Sequence, residues 1–211
     1  MNIKKHIPNL ITLLNLTCGL LAVIAIFRDQ EAEAFWFVCL GIFFDFWDGF
    51  FARKYNVSGD LGLQLDSLAD MVTCGVVPGL MIFKLIENLQ IDSTSPYFLT
   101  EDTWYMGFVP YLGFLITLAS CYRLAKFNID TRQTDSFIGL PTPANAMFIM
   151  SLPMIRFSYE DQWAGMLVKN PFVLLAITII SAYILNAEIP LFSLKIKEFT
   201  WAKYKMQILF L

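Results

Sequence analysis

Four aspartates lie within stretches of sequence that are long and apolar enough to span a lipid bilayer. They are Asp45, Asp48, Asp66 and Asp70, in the stretch FFDFWDGFFARKYNVSGDLGLQLDSLAD. One carboxylate in a bilayer-spanning helix costs about 2.5–3.5 kcal/mol on insertion scales, so four without partners would cost about 10 kcal/mol before their mutual repulsion is added. A fold that keeps them there must supply a positive partner. A divalent metal ion is favoured, because hard cations bind carboxylate oxygens and cancel the repulsion.

The composition is typical of a membrane protein. Hydrophobic residues make up 57% of the 211 residues and charged residues 16%, whereas soluble domains carry about 25% charged residues. The net charge of −3 gives no indication of a nucleic-acid partner. Four cysteines lie singly in apolar segments without CxxC or zinc spacing, so we interpret them as reduced packing residues.

Six apolar segments are long enough to cross a bilayer, which takes about 20 residues. They cover approximately residues 8–27, 34–54, 61–86, 104–127, 139–157 and 171–187. The first is interpreted as a retained span rather than a signal peptide, because it follows only two lysines and lacks a small-residue cleavage site. We therefore predict an all-α integral membrane protein, with a six-transmembrane-helix bundle in residues 1–188 and a C-terminal tail in residues 189–211.

The predicted tail mixes lysine with aromatic and aliphatic residues (LFSLKIKEFTWAKYKMQILFL). This pattern is typical of an amphipathic segment that lies in the membrane interface. Its last residues, MQILFL, also resemble the start of a further span, which would indicate a sequence shortened at its C-terminus. The tail is thus either an interfacial segment or a partial span.

The distribution of basic residues predicts the orientation of the bundle. Alternate connections place 11 Lys and Arg residues on one side and 4 on the other. Because the side richer in Lys and Arg faces the cytoplasm, both termini are predicted to be cytoplasmic. The same rule places Asp45, Asp48 and Asp66 near the cytoplasmic ends of their helices, and we expect the bacterial cytoplasmic membrane as the location.

Helical spacing places the four acids on two faces. Asp45 and Asp48 are three residues apart and share one face, while Asp66 and Asp70 are four apart and share another. Small residues continue these faces at Gly49, Ala52 and Gly62. Small residues let membrane helices approach closely, and they leave room for a bulky ligand near the backbone. The pattern predicts a metal cluster beside a cleft.

The residues around this cleft favour phosphoryl transfer. Arg53 ends the second segment, where its guanidinium would bind a phosphate or brace a carboxylate, although a basic residue also occurs at cytoplasmic helix ends without a function. A metal held by carboxylates beside room for phosphates is the usual setting for phosphoryl transfer. A cytoplasmic position suits a lipid whose tails stay in the bilayer while its headgroup meets a soluble partner.

The same residues resemble the signature of the CDP-alcohol phosphotransferases, D-x2-D-G-x2-A-R-x8-G-x3-D-x3-D. The eight fixed positions are matched without departure by Asp45, Asp48, Gly49, Ala52, Arg53, Gly62, Asp66 and Asp70. The resemblance implies a six-helix membrane core with its active site on the cytoplasmic side. It also implies a homodimer, whose contact face the sequence does not identify.

The resemblance further implies a role for each signature residue. Asp45, Asp48 and Asp66 would bind divalent metal, and Asp70 would share in the metal site and act as the general base. The CDP group would be lined by Asp48, Gly49, Ala52, Arg53, Gly62 and Asp66. Mg²⁺ or Mn²⁺ is expected, Ca²⁺ also favours oxygen ligands, and no organic cofactor is implied.

Two further segments resemble one branch of the family, the CDP-diacylglycerol–serine phosphatidyltransferases. They are the opening IPNLITLLNLTCGLLAV and the block CYRLAKFNIDTRQTDSFIGLPTPAN at residues 121–145. The resemblance implies transfer of the phosphatidyl group from CDP-diacylglycerol to L-serine, giving phosphatidylserine and CMP. Openings of this type occur in neighbouring branches too, so the serine assignment depends mainly on RLAKFN and FIGLPTPAN.

Serine brings a carboxylate and an ammonium group to such a site. Candidates for binding it are Arg123, Lys126, Arg132 and Asn145. The basic residues among them would alternatively only set topology or contact anionic headgroups. Weaker candidates for contact with the nucleotide are Asn9, Thr12 and Asn15 in the first segment. Alternatively, Asn9 caps its helix and Asn15 bridges two helices.

Rival interpretations stay open from the residues alone. The same chemistry on another alcohol, glycerol 3-phosphate or inositol phosphate, would need more cationic side chains around the acceptor. An ion or proton-coupled transporter would use the aspartates as an ion path, but it leaves the spacing of the glycines and Arg53 unexplained. A non-catalytic membrane scaffold leaves the energetic cost of the acids unexplained.

Overall fold

The computed structural model describes residues 6–55, 57, 59–92, 96–97, 101–129, 139–158 and 162–188. Within these ranges the α-helices are α1 (Ile7–Phe27), α2 (Glu31–Lys54), α3 (Asp60–Asp70), α4 (Val77–Ile91), α5 (Leu115–Ile129), α6 (Thr142–Ser158), α7 (Trp163–Val168) and α8 (Pro171–Asn186). A π-helical segment, Met71–Val76, joins α3 to α4, and a 3-10 segment, Glu101–Phe114, leads into α5. The predicted tail, residues 189–211, lies outside the described residues.

Four helical stretches are long and apolar enough to cross a membrane. They are Ile7–Phe27, Glu31–Lys54, Asp60–Ile91 and Met106–Ile129. Helices α6 and α8 have 17 and 16 residues, which is shorter than the roughly 20 residues of a full span. The all-helical class agrees with the prediction, and four of the six predicted segments form helices of spanning length.

The outside of the bundle is covered by large apolar side chains. Leu10, Phe27, Trp36, Phe46 and Leu118 are each at least 63% exposed. In water this much exposed apolar surface would mark a binding patch or an aggregation liability. Around helices of spanning length it is the surface expected to face lipid.

The fourth predicted segment departs from a regular α-helix in its first half. Residues of this half form the 3-10 segment, which contains Pro110. Proline lacks the N–H of a helical hydrogen bond. Gly113 also packs on α4 so closely that a Cβ there would lie 2.8 Å from the Phe83 nitrogen. The tighter 3-10 winding therefore coincides with a proline and a close helix contact.

Two helix boundaries also differ from the predicted segments. Helix α4 continues to Ile91, five residues beyond the predicted end of the third segment, so the connection that follows it is shorter than the segment boundaries predict. Helix α6 begins at Thr142, three residues after the predicted start. Gly139 has a φ of 75° and Pro141 follows it, so the chain turns before the helix begins.

The π-helical segment fixes the position of the end of α3. In a regular helix the backbone N–H of residue 78 would donate to the carbonyl oxygen of Cys74. Pro78 has no N–H, and a π turn accommodates the missing hydrogen bond. Within the segment, the Thr73 hydroxyl donates to the backbone oxygen of Asn15 at 3.2 Å. Thr117 of α5 donates to the Gly75 oxygen at 3.0 Å. Helices α1 and α5 are thereby tied to the residues directly after α3.

Helices α1 and α2 form an antiparallel pair that packs on this segment through glycines. A Cβ on Gly19 would lie 2.6 Å from Thr73 Oγ1, and one on Gly41 would lie 2.8 Å from Thr73 Cγ2. No side chain fits at either position without a shift of its neighbours. The close approach brings the first half of α1 and the second half of α2 beside α3, where the acidic residues lie.

Candidate active site

Three of the four aspartates converge in space. Asp45 and Asp48 of α2 and Asp66 of α3 each offer a carboxylate oxygen, and these oxygens all lie within 4.8 Å of one another. In the part of the chain that the structure describes, no Lys or Arg nitrogen lies within 4.0 Å of them. Carboxylates this close repel one another strongly when charged. The cluster therefore requires protons or a bound cation to be stable.

The donor set fits a hard divalent cation. All three groups offer carboxylate oxygens, which Mg²⁺, Mn²⁺ and Ca²⁺ prefer over nitrogen or sulfur. Asp66 Oδ1 is buried and has no hydrogen-bond partner among the described residues, so it is available as a ligand. Of the predicted metal ligands, Asp45, Asp48 and Asp66 are thus brought together around one point, which we call the acidic cluster.

Asp70 occupies a different position from the other three. It lies at the end of α3 with 9% of its surface exposed, and its Oδ1 accepts a hydrogen bond from Asn15 Nδ2 at 3.1 Å. The group of mutually close oxygens does not include it, although it interacts with Asp45. Asp70 is therefore next to the acidic cluster rather than at its centre.

A cleft of about 180 Å³, here called the nucleotide cleft, opens on one side of the acidic cluster. It is lined by all six residues predicted for the CDP group, namely Asp48, Gly49, Ala52, Arg53, Gly62 and Asp66. Asn9 and Thr12 of α1 complete its wall. Six of the eight signature residues thus share one concave site, with two of the acids at its inner end.

The cleft glycines leave open space rather than a tight helix contact. A Cβ on Gly62 would meet Asn9 Oδ1 at 3.5 Å, and one on Gly49 would meet Arg53 Nη1 at 3.6 Å. Both are ordinary contact distances. This contrasts with Gly113, where a Cβ would lie 2.9 Å from the Gly79 oxygen. The chain's own packing does not require glycine in the cleft, which favours a ligand as the reason.

A second cavity of about 280 Å³, here called the acceptor cavity, lies on the other side of the acidic cluster. Its acidic wall is formed by Asp45, Asp66 and Asp70. Arg123 of α5 faces them; it is 8% exposed, and its Nε has no hydrogen-bond partner among the described residues. Because Asp66 lines both cavities, the two sites meet at the acidic cluster.

The predicted acceptor residues lie in different places. Arg123 lines the acceptor cavity. Lys126 does not line it, and its Nζ pairs with Glu188 at 3.1 Å on the exposed surface. Asn145 is fully buried and also lies outside the lining of the cavity. Arg132 falls outside the described residues.

The three candidates on α1 for contact with the nucleotide also lie in different places. Asn9 and Thr12 line the nucleotide cleft, and their contact with the nucleotide stays a prediction. Asn15 is fully buried and does not belong to the cleft lining. Its amide instead bridges to Asp70 of another helix, which is the alternative that the sequence left open.

A family model for the CDP-alcohol phosphatidyltransferases matches residues 5–187. The chain belongs to this family. The match covers every helix described above, and it agrees with the resemblance that the aspartate signature indicated.

Curated relatives of this family member are named for transfer to serine or for a serine lipid. The CDP-diacylglycerol–serine O-phosphatidyltransferase of Bacillus subtilis is 35% identical over 160 residues, covering 74% of this chain and 78% of the relative. The enzyme of the same name from Methanocaldococcus jannaschii is 31% identical, covering 72% and 63%. The archaetidylserine synthase of Methanothermobacter thermautotrophicus is 28% identical, covering 85% and 70%. The chain thus spans less than two thirds of the length of the Methanocaldococcus relative.

Sequence reasoning missed several polar residues of the acceptor cavity in this family member. Ser67 and Asn128 line it and bond each other, with Asn128 Nδ2 donating to Ser67 Oγ at 2.9 Å. Thr142 lines it too. A signal was present, because Asn128 ends the RLAKFN block and Thr142 lies in the GLPTP turn. Their shared cavity depends on how α3, α5 and α6 pack.

Adding a methyl group at Gly62 is expected to weaken substrate binding without harming the fold. In Gly62→Ala, we expect the KM for CDP-diacylglycerol to rise roughly tenfold, equivalent to about 1.4 kcal/mol, because the methyl group enters the nucleotide cleft. The melting temperature in detergent should not fall, since alanine favours a helix over glycine by about 0.5–1 kcal/mol.

The matched control is Gly113→Ala, because Gly113 lines neither cavity. Its new methyl group would meet backbone atoms, and overpacking of this kind costs about 1–3 kcal/mol. We expect a lower melting temperature and an unchanged KM in the fraction that folds. If Gly62→Ala instead lost thermal stability and kept its KM for CDP-diacylglycerol, Gly62 would be required for helix packing rather than for substrate binding.

Proposed function

We propose that this chain is a metal-dependent CDP-diacylglycerol–serine O-phosphatidyltransferase. It transfers the phosphatidyl group of CDP-diacylglycerol to the hydroxyl of L-serine and releases CMP. The observation that carries the proposal is the meeting of two cavities at one acidic cluster. One cavity is lined by six of the eight signature residues, and the other is lined by Asp45, Asp66 and Asp70 with a buried arginine opposite them. The names of the curated relatives support the choice of serine.

The nucleotide cleft receives the CDP group in this proposal. Arg53 supplies a guanidinium for the phosphates, and the open surfaces of Gly49 and Gly62 let the nucleotide approach the backbone. Asp45, Asp48 and Asp66 hold the divalent cation at the inner end. When bound there, the cation withdraws negative charge from the phosphate oxygens and stabilises the departing CMP.

The acceptor cavity orients serine for attack. Arg123 binds its carboxylate, for which a guanidinium fork is the natural partner. Asp70 accepts the proton of the serine hydroxyl as the oxygen forms its bond to the phosphatidyl phosphorus and the bond from phosphorus to the CMP oxygen breaks. Direct attack by serine is favoured over a covalent enzyme intermediate. The Ser67 hydroxyl, a candidate nucleophile in this cavity, already donates its hydrogen bond to Asn128.

The membrane arrangement in this proposal has six spans, with α6 and α8 as the two short ones. The nucleotide cleft opens toward the cytoplasm, since Arg53 and Lys54 end α2 beside it and the excess of basic residues falls on that side. Both termini are cytoplasmic, and the protein works as a homodimer. The diacyl tails of the substrate remain in the lipid next to the exposed apolar surface.

An acceptor competition assay tests the function. Purified protein given CDP-diacylglycerol, labelled L-serine and Mg²⁺ or Mn²⁺ is expected to form labelled phosphatidylserine and an equal amount of CMP. A chelator should abolish the reaction and added metal should restore it, because none of the described Lys and Arg side chains pairs with the acidic cluster. Glycerol 3-phosphate and inositol phosphate should give no product.

Each other outcome selects a rival. Product from one of the phosphorylated alcohols but not from serine would keep the reaction and replace the acceptor. Absence of CMP release with every alcohol, together with metal-dependent ion flux in vesicles, would favour a transporter.

A further inference from the structure

Helix α1 contacts the acids although it carries none itself. Thr12 and Asn15 lie three residues apart on its inner face and are 3% and 0% exposed. Thr12 Oγ1 donates to Asp48 Oδ2 at 2.5 Å, and Asn15 Nδ2 donates to Asp70 Oδ1 at 3.1 Å. The two carboxylates come from different helices. One lines the nucleotide cleft and the other lines the acceptor cavity.

The side chain of Asn15 is itself held in place. A Cβ on Gly41 of α2 would lie 2.9 Å from Asn15 Oδ1, so the absence of a side chain there makes room for the amide. The Thr73 hydroxyl bonds the backbone oxygen of Asn15, which fixes α1 against the π-helical segment. The donor that faces Asp70 therefore belongs to a rigid part of the fold.

The hydroxyl of Thr12 lies within hydrogen-bond distance of two acceptors. It lies 3.1 Å from the Pro8 backbone oxygen as well as close to Asp48. A hydroxyl has one proton to donate, and a charged carboxylate is the stronger acceptor. The shorter contact is the one to Asp48. Thr12 therefore favours one orientation of the Asp48 carboxylate, the orientation in which Oδ2 faces α1.

We propose that Thr12 and Asn15 are positioning residues that fix the carboxylates of Asp48 and Asp70 from one helix. Thr12 acts on the cation, through the carboxylate of Asp48 in the acidic cluster. Asn15 acts on the transfer step, through Asp70 in the acceptor cavity. This inference rests on the proposed function only for Asn15, because cation binding by the acidic cluster does not depend on the identity of the alcohol.

The two roles predict different losses. Partners that orient metal ligands typically change metal affinity or activity by about 10–100-fold when they are removed. Thr12→Val, which keeps the shape and removes the hydroxyl, is expected to weaken Mn²⁺ binding by about 10–100-fold. Asn15→Leu, which removes the amide donor, is expected to lower kcat by about 10–100-fold, with Mn²⁺ binding and the KM for CDP-diacylglycerol unchanged.

The experiment uses the full chain purified in detergent. Mn²⁺ binding without substrate is followed by the paramagnetic resonance signal of the free ion, and kcat and KM are measured with labelled serine. Thr12→Ser restores a hydroxyl and is expected to recover Mn²⁺ affinity to within a few-fold of wild type. Thr17→Val is the matched control, because Thr17 is exposed on the same helix and bonds only the Leu13 backbone oxygen among the described residues.

The outcomes separate the two proposals. Wild-type Mn²⁺ affinity in Thr12→Val, failure of Thr12→Ser to recover it, or an equal loss in Thr17→Val would overturn the role of Thr12. An unchanged kcat in Asn15→Leu, or a loss that appears only in KM, would overturn the role of Asn15. If Thr12→Val lost Mn²⁺ affinity as expected but the wild-type protein made no phosphatidylserine, the serine function would be refuted and the role of Thr12 would stand.

Discussion

Replacing Asp70 with asparagine is expected to lower the rate of phosphatidylserine formation by about 10²–10⁴-fold, the usual contribution of a general base. The amide has the shape of the carboxylic acid and its oxygen still accepts the bond from Asn15, but it does not take a proton from serine. Because Asp70 lies outside the group of three mutually close oxygens, Mn²⁺ and CMP should bind with affinities near those of the wild type. Initial rates with labelled serine and Mn²⁺ titration measure the two effects separately.

Asp66→Asn is the matched comparison for this variant. Asp66 belongs to the acidic cluster and lines both cavities, so its loss should remove Mn²⁺ binding and turnover together. If Asp70→Asn lost Mn²⁺ binding to the same extent, Asp70 would act as a metal ligand and its role as base would lose support. Full turnover in Asp70→Asn would remove it from the reaction.

The spatial grouping of the acidic cluster was predictable from the sequence, because it depends on local geometry. A helix places residues three or four apart on one face, which pairs Asp45 with Asp48. The insertion cost of carboxylates in apolar helices then requires a shared partner. The convergence of Asp66 with that pair follows from both constraints, without knowledge of how the other helices pack.

The separate position of Asp70 was not predictable in this way. Its spacing of four from Asp66 places both residues on one face, and both line the acceptor cavity, but only Asp66 has an oxygen in the group of three mutually close carboxylates. The difference arises at the end of α3, where the π-helical segment begins directly after Asp70. That segment is shaped by Pro78 and by contacts with α1 and α5, and such contacts between distant parts of the chain leave no periodic signal in the sequence.

The acceptor residues show the same limit. Arg123 and Lys126 are three apart, and both are acceptor candidates by charge and by their place in the sequence. The structure separates them, because α8 and the residues after it bring Glu188 to Lys126, while Arg123 turns into the cavity beside α3. Which of two neighbouring cations is buried depends on tertiary packing, and so does the contribution of Ser67 from α3.

Arg123→Gln is expected to abolish most of the affinity for serine while leaving the nucleotide site intact. Losing one partner of a buried, hydrogen-bonded charge pair costs about 2–5 kcal/mol, which corresponds to a rise in the KM for serine of roughly 30- to 5,000-fold. The KM for CDP-diacylglycerol should change little, because Arg123 does not line the nucleotide cleft. Arg123→Lys should recover part of the affinity, since it restores the charge but not the guanidinium fork.

Lys126→Gln is the matched control for the Arg123→Gln prediction. It removes the same charge one helical turn away, from an exposed ion pair whose loss typically costs about 0.2–1 kcal/mol. If the two cations only set topology or attract anionic lipid, the two variants should behave alike, with similar rates across all serine concentrations. If Arg123 binds the serine carboxylate, the rate of Arg123→Gln should not saturate at serine concentrations that saturate the wild type. Lys126→Gln should keep a KM for serine near the wild-type value. Equal effects in both variants would remove Arg123 from the acceptor site and leave the specificity for serine without a cationic anchor.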